Sequence, residues 1–185
     1  MNKSRVMWTT ADDDIMTESV RVRLGDRMEE TKQTWLQKPY QETGNSPGLL
    51  PLMKDLPVRF TDTPDKASRE LDVFKNARGW LRGCKLHEQD EGRLTSMDTR
   101  EMVLSRRPLK LYIEMENPNP KLPLMHAMHI YTLAARPEEW SLDKLGNIRI
   151  KRYGFQLVPD FGSTAHAACG SSLTACSGEL LPWWK

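Results

Sequence analysis

The chain has 185 residues, 38% of them hydrophobic and 28% charged, with a formal net charge of +2. That length suits one ordinary domain, or one and a half small ones, and the balance suits a globular protein with a modest core. It excludes a strong overall electrostatic case for nucleic-acid binding, and no run approaches the roughly 20 apolar residues of a membrane helix.

Residues 1–20 mix Asp12, Asp13 and Asp14 with few apolar positions and read as loop or a frayed start. Val20 to Gln37 is helical in character, with Met28, Trp35 and Leu36 apolar and Glu29 three residues before Lys32. Pro39 stops it. Gln41 to Pro51 holds Gly44, Pro47, Gly48 and Pro51 and reads as loop. Leu56 to Thr61 alternates apolar and polar, the sign of a half-buried strand. Gly79 to Leu86 is a second candidate, with Gly83 as a bulge position. Met102 to Leu104 and Leu109 to Met115 follow, then the turn chemistry of Asn117-Pro118-Asn119-Pro120. His129 to Ala134 and Asn147 to Leu157 complete the set. Short strands with Pro and Gly punctuation predict a small barrel. There is no internal repeat, heptad or low-complexity tract.

Charge is local. Lys75, Arg78, Arg82 and Lys85 fall between Asp72 and Glu88 with no acid among them, and Arg149, Lys151 and Arg152 form a second cluster. Such clusters neutralise phosphates or form ordinary solvated surface. In a strand, Arg78, Trp80 and Arg82 share one face, which interleaves an aromatic with two cations; Trp80 as a core residue is the alternative, with the arginines snorkelling past it. The three cysteines, Cys84, Cys169 and Cys176, are odd in number and widely spaced. With no apolar leader after Met1, they predict an intracellular, reducing compartment, nucleus and organelles included, and no disulfide framework. His126 and His129 have HxxH spacing but no CxxC partner, so no metal site is expected. Cys169 and His166 lack an orienting acid nearby, so no catalytic residue is assigned.

The most informative stretch is Phe155 to Leu173, FQLVPDFGSTAHAACGSSL. An apolar run with Pro159 leads into Ser163 or Thr164, a natural helix N-cap. Ala165, Ala167 and Ala168 are strong helix formers, and Gly170 sits where a helix would end. A strand, a loop and a short helix opening on Thr164 and His166 make a ready anion site. A plain small-residue turn is the other reading of these residues.

This stretch resembles motif V of superfamily 1 DNA helicases of the Pif-type and RecD-like group, which includes those of Helitron transposons. Leu157, Pro159, Thr164, His166, Gly170 and Leu173 match the pattern LxPxxAxTxHxxQGxTL, whereas the family's Gln is Cys169 here and its Thr is Ser172. Gly48 to Leu52 with Leu56 to Asp62 is similar to the family's approach to a small β-barrel inserted in the second motor domain. Gly79 to Gly83 resembles a strand of that barrel. The resemblance covers Trp35 to Leu173 and is patchy between Glu91 and Tyr131.

The resemblance implies an α/β fold: a fragment of a RecA-like helicase motor domain carrying an inserted small β-barrel. Residues 1–50 would be the helical N-terminal part of the second motor domain, 51–147 the barrel, and 148–185 the truncated return bearing motif V. It implies ATP-dependent DNA unwinding for the parent, with single-stranded DNA as partner. Thr164 and His166 would contact the DNA backbone and Gly170 would face the nucleotide, while Arg78, Trp80 and Arg82 would add contacts from the barrel. ATP and Mg²⁺ belong only to the intact parent. A phosphate-cradling GxxxxGK[ST] loop is missing, since none of the eleven glycines precedes a lysine. Leu111 to Glu114 has the outline of a Walker B strand, but a strand ending in a surface Glu explains it better. The expectation is a helicase fragment that contributes single-stranded DNA contacts, has no ATP hydrolysis of its own, and awaits a missing ATP-binding domain. The alternatives are a stand-alone, non-enzymatic nucleic-acid module and a decayed product with no activity.

Overall fold

The computed structural model describes residues 5–24, 27–96 and 100–161. Strand β1 (Val6–Thr10) and strand β2 (Asp12–Ile15) occupy the stretch expected to be loop or frayed. The reason for β1 lies in its composition, VMWTT, rich in β-branched and aromatic side chains. The reason for β2 lies in the tertiary structure: Asp13 and Ile15 point inward while Asp12 and Asp14 face water. Helices α1 (Glu18–Leu24) and α2 (Met28–Leu36) follow. The helical reading of Val20 to Gln37 thus divides into two helices. Glu29 and Lys32 form the i,i+3 pair at 3.4 Å.

A 3-10 turn at Tyr40–Glu42 leads to β3 (Leu49–Leu52) and β4 (Leu56–Phe60). Helix α3 (Lys66–Glu70) opens on a reciprocal cap in which the Ser68 amide donates to Asp65 at 2.6 Å and the Asp65 amide to the Ser68 hydroxyl at 3.2 Å. Strand β5 (Arg78–Lys85) precedes α4 (Glu88–Ser96), then β6 (Glu101–Val103) and β7 (Lys110–Met115). The chain continues through β8 (Leu124–Met125), β9 (Met128–Leu133), β10 (Arg136–Ser141), β11 (Arg149–Gly154) and β12 (Leu157–Pro159). Helices α3 and α4 were not legible in the sequence, because each is short and carries few apolar residues to set a period.

These strands make three sheets, ordered β3-β1-β6, β10-β11-β2 and β12-β4-β5-β7-β9-β8. Among the described residues β1 with β6 is the parallel ladder and every other ladder is antiparallel. The fold is mixed α/β, but the small barrel does not close among the described residues. Its strands form an open six-stranded sheet whose edges, β12 and β8, do not pair with each other. Length explains this: β8 has two residues, and β12 has three and ends at Pro159, which has no N–H to give.

Among the described residues, two cores hold the sheets together. The larger joins Leu50 and Leu52 of β3 to the inner face of the six-stranded sheet: Leu56, Val58, Phe60, Leu81, Leu111, Ile113 and Leu133. The smaller gathers Ile15, Val20, Trp35, Trp140 and Ile150, with the two indoles edge to face at 6.0 Å. Beside it lies an ion pair sealed from water. Arg152 Nε and Nη2 donate to the two oxygens of Asp13 at 2.7 and 2.6 Å. Arg152 also reaches the Trp35 carbonyl at 2.9 Å and the Ser46 carbonyl at 3.2 Å. Its guanidinium lies 5.5 Å from the centroid of the Trp140 ring. Arg152 therefore fits neither reading of the second basic cluster, phosphate site or solvated surface, because it is fully buried.

Candidate nucleic-acid interface

The pleat of the six-stranded sheet sorts its residues. In β4, Leu56, Val58 and Phe60 point into the core and Pro57 and Arg59 point out. In β7, Leu111, Ile113 and Met115 point in, and Tyr112 and Glu114 point out. In β5, Gly79 and Leu81 point in, leaving Arg78, Trp80 and Arg82 on the outer face. The register places Trp80 between Pro57 and Glu114, and Arg59 directly opposite Arg78. The ladder slips between Leu81 and Gly83, so Arg82 is the bulged residue. A bulge re-aims a side chain and increases local twist. Gly79 is required at its place, because a Cβ there would stand 2.2 Å from the Glu114 carbonyl oxygen.

Three of the residues singled out from the sequence thus lie together. Trp80 is half-buried and belongs to neither core, so its ring faces the outer surface. The Arg82 guanidinium sits 5.8 Å from the centroid of that ring. Both arginines are engaged in ion pairs. Arg82 binds Asp55 and Glu114, and Arg78 lies 3.0 Å from Asp160. Burial pulls the Arg82 pKa down, but its hydrogen bonds to Glu114 and Asp55 more than offset this and raise it. Glu114, the one acid of the Walker-B-like outline, is spent on this pairing. The remaining three residues singled out, Thr164, His166 and Gly170, lie outside the described residues, as does Cys169.

The sequence reading missed Arg59 and Asp160. Arg59 Nε stands 3.3 Å from Asp160 Oδ1, so one carboxylate bridges two arginines on neighbouring strands. The signal for Arg59 was present, since it occupies an outward position in the alternation of Leu56 to Thr61. Asp160 carried no signal, because only the pairing of β12 with β4 brings it there.

The face therefore carries cations, aromatics and carboxylates together. Guanidiniums held by carboxylates are pre-positioned, and phosphate oxygens can replace the carboxylate oxygens with like geometry. An indole with a guanidinium over it offers a stacking platform for a base. Among the described residues, no three His, Cys, Asp or Glu side chains group to hold a metal ion, and no helix is long and apolar enough to cross a membrane.

No protein-family model and no curated protein matches the sequence. Among solved structures, the chain is similar to the Pif1 helicase from Candida albicans, at 13% identity and a TM-score of 0.47. That similarity covers 91% of this chain and 32% of the helicase, so the chain spans about a third of that protein's length. At this identity and score the similarity assigns neither family nor activity.

Proposed function

We propose that this chain contributes single-stranded DNA contacts to a helicase of the Pif-type group and hydrolyses no ATP by itself. The observation that carries the proposal is the outer face of the antiparallel sheet, where Arg59, Arg78, Trp80 and Arg82 stand on adjacent strands, with Arg59 directly opposite Arg78. Single-strand binders combine cations that track the backbone with aromatic rings on which bases stack, each stack being worth about 1–3 kcal/mol. The motif-V-like residues Thr164 and His166 support the reading through their chemistry, since a hydroxyl and an imidazole both suit phosphate oxygens. The missing GxxxxGK[ST] loop is why ATP hydrolysis is assigned to another domain.

The test is fluorescence anisotropy of the purified chain with a single-stranded oligonucleotide at two salt concentrations. Binding should weaken steeply with salt. Arg78→Ala with Arg82→Ala should weaken it for all sequences and flatten the salt slope by about two. A folded chain that binds no oligonucleotide at low salt would refute the proposal.

A second reading has one observation in its favour. Arg78 and Arg82 are both paired with carboxylates, which is how a purely structural face would look. On that reading the double substitution lowers the unfolding temperature and leaves anisotropy unchanged.

A further inference from the structure

At one end of this face a groove of about 690 Å³ opens between the loop that follows α3 and the loop that follows β7. Its walls include Arg59, Arg78, Phe74, Asn76, Asp72 and Glu116. The volume falls within the range of about 300–1,000 Å³ common to small-ligand sites. Three features single it out.

The first is Phe74. This residue is 50% exposed, while its neighbour Val73 is fully buried. The exposure does not come from a loose loop. The Val73 amide donates to the Ser68 carbonyl at 2.8 Å, Ala77 to Phe74 at 2.9 Å and Asn76 to Phe60 at 2.9 Å. Asn119 ties the opposite loop to this one by donating to Asp72 at 2.7 Å. Asp72 and Asn76 both take left-handed backbone, at φ of 59° and 70°. Asp and Asn are the side chains that tolerate this conformation in tight turns, so the turn is well formed.

The second is the pair Arg59 and Arg78, directly opposed across β4 and β5. Like charges in that register repel and call for an anion between them. Asp160 supplies it incompletely. Among the described residues, Arg59 Nε and Asp160 Oδ1 are buried with no hydrogen-bond partner, although they lie only 3.3 Å apart. The third is the remaining lining. Asp72 and Glu116 would repel a second phosphate, while Asn76 offers an amide that can donate and accept at a base edge.

We infer that this groove binds one nucleoside monophosphate unit, with its phosphate on Arg59 and Arg78 in place of Asp160 and its base against Phe74. The unit is either one nucleotide of a strand or a free nucleotide. The strand form deepens the proposed function and rests on it; the free form does not. Asp160 is then a built-in competitor for the phosphate.

Oligonucleotide anisotropy on the full chain tests this with two variants. Phe74→Ala, at an exposed ring, should weaken binding about tenfold with the salt slope unchanged, because stacking carries no net charge. Asp160→Asn should tighten binding and steepen the salt slope, whereas a merely structural Asp160 would give weaker binding and a lower unfolding temperature. If both variants bind like the parent while Arg82→Ala binds less, the groove proposal falls and the proposed function stands. If the parent binds no strand, saturation-transfer NMR with dAMP decides. Transfer that Phe74→Ala abolishes sustains the groove as a free-nucleotide site, and no transfer overturns it.

Discussion

Replacing Asp13 with Ala should be the most damaging single change to the described fold. Asp13 is 5% exposed and Arg152 0%, so the substitution leaves a guanidinium in a dry interior with only the Trp35 and Ser46 carbonyls and the Trp140 ring around it. Breaking a buried pair from one side costs about 3–5 kcal/mol. For a chain of this length, that corresponds to a fall of about 6–20 °C in Tm. Arg152→Met should cost a similar amount, because it strands a carboxylate and leaves two carbonyls without a donor. The double variant removes both charges, so its cost should fall short of the sum of the single costs by about 2–3 kcal/mol. Urea unfolding followed by circular dichroism at pH 7 gives all four corners of the cycle. The parent's stability should vary little between low and high salt from this source, since a buried pair is poorly screened. Additive single and double costs would refute the reasoning, because they would mean that neither charge feels the other's loss.

Other parts of the fold give further predictions. Burial works against ionisation of Asp90, but hydrogen bonds from the Ser105 and Arg106 amides, the Ser105 hydroxyl and Arg93 outweigh it and lower its pKa. Its contribution is therefore present above the unfolded carboxylate value of about 3.9 and is lost as pH falls through the lower folded value. Asp90→Asn should cost about 1–3 kcal/mol at pH 7 and flatten the acid limb of a stability-against-pH curve. Burial, with Glu91 nearby, pushes the Cys84 thiol up to about 11. Alkylation of Cys84 by iodoacetamide at pH 8, read by peptide mass spectrometry, should be on the order of a hundredfold slower than for a free thiol. Gly79→Ala drives a methyl against the Glu114 carbonyl and should destabilise the chain by about 1–3 kcal/mol, seen as a lower denaturant midpoint. An unchanged midpoint would contradict the β5–β7 register.

The outer face of the six-stranded sheet was largely legible in the sequence. Leu56-Pro57-Val58-Arg59-Phe60 alternates cleanly, and Arg78, Trp80 and Arg82 recur at every second position. A pleated strand makes that alternation a local property, so it can be read without knowing the neighbours. The helices were less legible. α3 is set by an Asp65–Ser68 cap, and α4 is anchored by an acid that grips a loop fifteen residues away; neither has an apolar stripe long enough to show a period. The barrel expectation was not met among the described residues for a related reason. Short strands with turns between them are common to barrels and open sheets, and closure depends on whether the two edge strands can reach each other.

Which side of β4 and β5 faces water was therefore determined by the sequence alone. What each charged side chain faces was decided only by the tertiary structure. Asp12, Asp13 and Asp14 look alike in sequence, yet Asp13 meets Arg152 across 139 residues while its neighbours stay exposed. Arg152 looks like its neighbours Arg149 and Lys151, yet it fills the interior and Arg149 lies outside. Asp160 joins Arg59 and Arg78 only because β12 pairs with β4. Such pairings follow from strand neighbourhood, which is set by the burial of the whole core and leaves no local pattern in the chain.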